Sequence, residues 1–304
     1  MRLWTSLVGA LALIVSLTAA CQSSAGPGGQ AIVVTTNILG DVVRNVAGDA
    51  AEVRVLMQPN ADPHSFGISA QDAAAMNSAG LVVYNGLGLE ENVIRNVETV
   101  AEQGVPTLAV GDHIDPIKYA KGDSAGMPDP HFWTDPERMI AAVDVIEKAV
   151  IENVNGVDRD AVTRNAKSYR AQLRDLDTSM VDGLNTIPVD RRKLVTNHHV
   201  LGYFAQRFGF AVIGALVPSG TTLASPSAAD LQSLVGAIES ARVPAVFIDS
   251  SQPDRLARVL AEQSGITVEI VSLYSESLSP PGTPGDTYLA MMRANTDAIV
   301  NGLR

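Results

Sequence analysis

Residues 31–36 read AIVVTT, an unbroken β-branched run, and residues 38–47 behind them switch to helical spacing of their apolar positions. That pair decides the fold because it recurs. Residues 51–57, 81–84 and 105–110 are further strand-like runs, with helix-period segments at 70–78 and 90–103 between them. Short strands alternating with helices of this size build parallel βαβ units, and buried parallel strands read as solid apolar runs. From residue 135 to about 187 the rhythm stops and only two long helical stretches occur. The second, over 159–184, is long for a globular helix and suits a bridge between two lobes. Strand-like runs resume at 193–196, 211–216, 245–248 and 268–273. The expected plan is α/β: one lobe over 31–157, a linking helix within 158–187 and a second lobe over 188–304. Four strands on each side hint at a duplicated layout.

The 304 residues are 46% hydrophobic, which excludes disorder as the main state, and the length is ample for two cores. An excess of 33 acidic over 22 basic residues speaks against a nucleic-acid partner, since phosphate neutralisation needs clustered Lys and Arg. Cys21 is the only cysteine, so neither an intramolecular disulfide nor a multi-thiolate metal site can form.

Met1-Arg2 is a short positive start, residues 3–17 are almost continuously apolar, and Thr18-Ala19-Ala20 is a small-residue run that ends at Cys21. This is the pattern of a secretory signal over residues 1–20. A cysteine directly after the small residues resembles the lipidation site of bacterial lipoproteins, so Cys21 is the expected anchor. The alternative is an uncleaved membrane helix, but an apolar run of roughly 15–18 residues is at or below the spanning limit. Residues 21–30 are small, polar and Gly-rich, as in a flexible tether. The folded part is therefore expected outside the cytoplasm, held to the membrane by lipid or periplasmic.

Five histidines occur: His64, His113, His131, His198 and His199. Three contexts place a histidine at or after the carboxyl end of a strand. His64 lies in Asp62-Pro63-His64, His131 in Asp129-Pro130-His131-Phe132-Trp133, and His198 in Thr196-Asn197-His198. Open α/β sheets bind ligands in the crevice outside their strand carboxyl ends. Three imidazoles meeting there make a metal site. The repeated Pro stiffens each approach, although spacings of tens of residues carry no local metal signature.

These segments resemble the zinc/manganese solute-binding lipoproteins of bacterial ABC importers, the TroA-like cluster A-I family. The resemblance covers the whole mature chain. It includes Asp62-Pro63-His64, residues 129–136 (DPHFWTDP), residues 195–204 (VTNHHVLGYF), residues 247–251 (FIDSS) and Gly285-Asp286-Thr287-Tyr288. It implies two Rossmann-like (β/α)4 lobes joined by a long rigid backbone helix, with the metal buried between them. It also implies a monomer that serves a membrane permease and a cytoplasmic ATPase. Carried over by position, the ligands would be His64, His131, His198 and Asp286. By spacing alone, Asp286 instead reads as a helix N-cap.

Three departures from the family pattern bear on the metal. His199 stands where relatives often carry Asp or Gly, and His198 is assigned as the ligand by its place in the motif. Zinc-selective relatives often carry a His-rich loop before the second ligand, whereas residues 112–127 hold only His113, read as a surface residue. Manganese-type members usually have a carboxylate where His198 stands. Three imidazoles and a carboxylate favour zinc, with manganese and then iron as alternatives.

Four protein ligands leave no open position for substrate, which favours a carrier over an enzyme. The rivals are a secreted three-ligand zinc hydrolase and a binding protein for an organic solute. Against the first, the chain contains no His-Glu-x-x-His helix. Glu90 and Glu91 read as flanking a solvent-facing helix. Asp249, at a strand end on the crevice side, reads either as a hydrogen-bond partner of a ligating histidine or as a helix-capping or solvated carboxylate. Phe66 and Trp133 flank ligands as shields or ordinary core, and Met291-Met292 read as packing.

Overall fold

The computed structural model describes residues 31–122 and 124–304. The signal, the tether and the Cys21 lipidation site lie outside the described residues. Strands β1 (Ile32–Val34), β2 (Val53–Val55), β3 (Leu81–Tyr84) and β4 (Thr107–Ala109) form a parallel sheet in the order β2-β1-β3-β4. Strands β5 (Lys193–Thr196), β6 (Ala211–Ala215), β7 (Ala245–Asp249) and β8 (Glu269–Leu273) form a second one in the order β6-β5-β7-β8. The second order repeats the first. In both, the chain reverses direction across the sheet beside its opening strand, and a crevice opens above the strand ends there.

Side-chain alternation divides the first sheet between two cores. Ile32, Val34, Leu81 and Val83 face α1 (Asn37–Ala47), α4 (Pro136–Asn153) and α5 (Arg159–Leu184). Val33 and Val82 face the other way, against Met76 of α2 (Ala70–Asn77) and Val97 and Val100 of α3 (Ile94–Glu102). α1 buries Ile38, Leu39, Val42, Val43 and Val46 on one side, and each is worth about 1.5–3 kcal/mol when fully buried. The second sheet buries Val195, Val246 and Ile248 under α7 (Ala228–Ala241) and α8 (Arg255–Gln263).

α5 begins where Asp158 accepts the Ala161 amide, and it runs about 39 Å at 1.5 Å per residue. Val162, Ala166, Tyr169, Leu173, Leu176, Met180 and Leu184 recur every three or four positions and are buried. This stripe packs against α4, α1 and the last helix, α9 (Tyr288–Leu303). A single apolar core therefore runs from Val34 through Leu176 to Phe247 and Leu303. Sliding one sheet past the other along α5 would expose that core.

Buried hydrogen bonds add to the floor between the sheets. Asn37 donates to Ser277 Oγ and accepts the Leu278 amide. Trp133 Nε1 donates to the Ser275 carbonyl, and the Tyr288 hydroxyl to the Trp133 carbonyl. Trp133, Met291 and Met292 belong to this core, while Phe66 packs partly buried against the cluster beyond the first sheet. Among the described residues, no helix is long and apolar enough to cross a membrane.

Candidate metal centre

The loops that carry His64 and His131 use the same local device. Asp62 Oδ1 accepts the His64 amide at 2.9 Å, and Asp129 Oδ1 accepts the His131 amide at 2.9 Å. Each Asp thus closes a turn on the residue two ahead, with the intervening Pro setting φ. His198 follows β5 directly, where Thr196 Oγ1 donates to its carbonyl. His113, by contrast, is exposed in a short 3-10 turn.

The structure brings His64, His131 and His198 together with Glu276, all four buried, with one ligand atom from each within 4.8 Å of the others. The Nε2 atoms of His131 and His64 are 3.4 Å apart, and those of His198 and His131 are 3.3 Å apart. Glu276 Oε1 lies 3.1 Å from His198 Nε2 and 3.7 Å from His131 Nε2, and Oε2 lies 3.9 Å from His64 Nε2. Four ligands at 2.0–2.1 Å from a tetrahedral zinc stand about 3.3–3.4 Å from one another. The observed spacings straddle that value.

The fourth group corrects the sequence reading. Asp286 does not join the cluster: its Oδ2 accepts the Gly282 amide in an exposed turn, and its charge acts on Asp41 instead. Nor does it cap α9, because Thr287 Oγ1 is the group that accepts the Ala290 amide. Glu276 lies three residues beyond the end of β8. The strand-end rule that selected the histidines would have selected it too.

Asp249 also departs from expectation. Its carboxylate touches no imidazole; Oδ2 accepts the amides of Ser275 and Glu276 and the Ser275 hydroxyl, and so holds the turn that presents Glu276. The group that orients a ring is Asp129, whose Oδ1 is 2.8 Å from His131 Nδ1. This contact places the proton on Nδ1 and leaves the Nε2 lone pair to the cluster. His198 Nδ1 lies 3.1 Å from Nδ2 of the Asn197 side chain, and His64 Nδ1 lies 3.6 Å from Glu91 Oε1. Glu90 is no solvent-side flank: it is fully buried and accepts the Thr35 hydroxyl and the Asn85 and Gly86 amides.

Burial decides the charge states. It lowers the pKa of His131 far below the ordinary value, assisted by the neighbouring His198 and His199, and it lowers that of His64 in the same way. Burial pushes Glu276 up to about 7 against the pull of His198. For His198 burial works downward, but the Glu276 carboxylate overcomes it and raises the value. Glu276 is thus a weaker acid than an exposed carboxyl, and His198 beside it is held more basic than His64 and His131, whose burial favours neutral rings. Neither Glu276 oxygen receives a well-formed hydrogen bond from any described residue, and His64 Nδ1 has none either. A buried carboxylate left this way is costly unless a cation takes its lone pairs.

Known proteins share both sequence and fold with the chain. The family model described as "ZnuA: Zinc-uptake complex component A periplasmic" matches residues 32–302. The metal ABC transporter substrate-binding lipoprotein FimA of Streptococcus parasanguinis is 30% identical, over 96% of this chain and 96% of that protein. The zinc-binding protein TroA of Treponema pallidum is 31% identical, over 97% of this chain and 96% of its own. The solved structure of TroA superposes with a TM-score of 0.80 at 29% identity, covering 91% of this chain and 99% of that one. A manganese-bound periplasmic metal-binding protein from Candidatus Liberibacter asiaticus gives 0.79 at 25% identity, covering 90% and 100%.

Proposed function

Because the chain belongs to the family of periplasmic zinc-uptake component A proteins, we propose that it is the extracytoplasmic capture protein of a metal-ion ABC importer. It holds one divalent transition-metal ion between its lobes, 31–157 and 188–304, and hands it to a membrane permease whose partner ATPase supplies the energy. His64, His131, His198 and Glu276 are the ligands in this reading. The observation that carries it is the buried Glu276 carboxylate, without a well-formed hydrogen bond from any described residue, lying 3.1, 3.7 and 3.9 Å from the Nε2 atoms of His198, His131 and His64.

Zinc is the first choice of cargo. Three imidazoles and one carboxylate make a borderline set that zinc fills completely, whereas manganese prefers oxygen ligands and water. Relatives named for zinc and for manganese support the family of cargo rather than either ion. A site filled by four protein ligands holds metal and leaves no place for a reacting water, so the role is binding rather than catalysis. Relatives named as lipoproteins and the place of Cys21 in the sequence support a lipid anchor outside the cytoplasm.

The test is metal analysis of protein purified without chelator or metal-affinity resin, followed by competition against a chelator of known affinity. The expected result is one zinc per chain, displaced by manganese only at large excess. Protein that takes up no transition metal, or one that keeps its metal after Glu276→Ala, overturns the assignment.

A further inference from the structure

One segment of the second lobe, residues 217–223, bonds to residues of the first lobe at the edge of the site and touches the supports of all three histidines. Thr222 Oγ1 donates to Asp62 Oδ2 at 2.6 Å, and the other oxygen of that carboxylate holds the His64 amide. Thr221 Oγ1 donates to Glu91 Oε1 at 2.6 Å, the same atom that stands 3.6 Å from His64 Nδ1. The Tyr119 hydroxyl lies 3.2 Å from His131 Nδ1 and donates to the Gly220 carbonyl. The Gly220 amide donates to Ser124 Oγ, and the His199 amide to the Ser219 carbonyl, beside His198. Gly220 itself admits the contact, because a Cβ there would collide with the Tyr119 ring and hydroxyl.

We propose that residues 217–223 form a clasp on the metal site, with Thr221 and Thr222 as its latch. Resting on the reading that His64 is a ligand, the clasp makes the loop that presents His64 share two carboxylates with the opposite lobe. The ion cannot leave past His64 while both threonines hold. Their bonds lie at the half-exposed rim, where water can replace them one at a time, so the latch opens without disturbing the buried floor. Thr221 and Thr222 are positioning residues: they touch no metal and act through Asp62 and Glu91.

The experiment is stopped-flow zinc release from the purified protein into excess chelator, with association measured separately. Thr221→Val and Thr222→Val together keep size and shape but lose both hydroxyls. The expected result is zinc release at least about fivefold faster, association changed less than about twofold, and an unchanged melting point of the metal-free protein. The pair Thr221→Ser and Thr222→Ser keeps the hydroxyls and restores the wild-type release rate. Release accelerated less than fivefold in the valine pair, or equally accelerated in the serine pair, overturns the clasp alone. Wild-type protein that takes up no transition metal overturns the metal-holding reading and the clasp with it.

Discussion

The floor of the cleft and its rim join the same two lobes by opposite means. On the floor, α1, α5 and α9 share one core, and Asn37, Trp133 and Tyr288 tie the lobes with buried bonds. At the rim, two threonine hydroxyls meet two carboxylates in partly exposed surroundings. Breaking a floor bond strands a buried polar group, at about 1–3 kcal/mol, whereas water takes over a rim partner at little cost. Glu276 sits on the floor side, between Ser275 and Ser277, and His64 on the rim side. A protein that must hold an ion and later release it is thus rigid behind the site and openable in front.

Removing a ligand from either side tests this division most severely. An ion held with 10–16 kcal/mol by four ligands owes each about 3 kcal/mol, or roughly a hundredfold in affinity. Glu276→Ala and His198→Ala are expected to lose at least that much by chelator competition. Asp286→Ala is expected to stay within about threefold, and a loss equal to that of Glu276→Ala would return Asp286 to the site. Asp129→Asn, which removes the acceptor behind His131, is expected to cost about 10–100-fold.

Acid acts next, through the groups with shifted pKa values. Metal binding needs Glu276 ionised and the imidazoles neutral. Because burial holds Glu276 at about 7, affinity is expected to fall up to about tenfold per unit as pH drops below 7. Affinity that stays flat from pH 8 to 5 contradicts the ligand set. Metal-free stability runs in the opposite direction. The folded carboxyl, at about 7 against an ordinary 4.5, binds more protons than the unfolded one between those values. Its contribution to stability is complete below 4.5 and is lost as pH rises through 7. Glu276→Gln escapes that loss, so at pH 8 the metal-free variant is expected to melt above wild type by calorimetry.

Smaller effects separate floor from rim. Asn37→Ala strands the Leu278 amide and is expected to lower the metal-free melting point by about 2–10 °C. If it speeds metal release as much as the paired threonine variants, floor and rim are not distinct. His199→Ala is the least damaging change expected, altering zinc affinity by less than about threefold. Among the described residues His199 is bonded near the site through its backbone amide alone, and its ring stands beside Gly122.

Much of this was legible in the chain. Eight strand-like runs announced eight strands, most clearly β1, β3, β5 and β7, because a parallel strand buried on both faces has no polar alternation to hide it. The stripe from Val162 to Leu184 announced the long helix. The three histidines stood out because histidine is scarce here and each followed a strand. Glu276 was passed over: it is one of 33 acidic residues, and the family resemblance pointed to Asp286, ten positions on, although the local pattern of Asp286 read as a helix cap. The role of Asp249 was misjudged for a related reason, since a strand-end carboxylate can face a ring or the next turn with the same sequence around it.

The order of elements and the paired sheets followed from the sequence by itself, because periodicity is a local property of the chain; strand-end position made three histidines candidates, and the resemblance to a family proposed them as ligands. Which carboxylate completes the set, which proton each ring carries, and how residues 217–223 reach Asp62 and Glu91 were decided only by the tertiary structure. Those facts depend on distances between segments far apart in the chain, as His64 is from Glu276 and Asp62 from Thr222, and packing two sheets on one helix is what sets them.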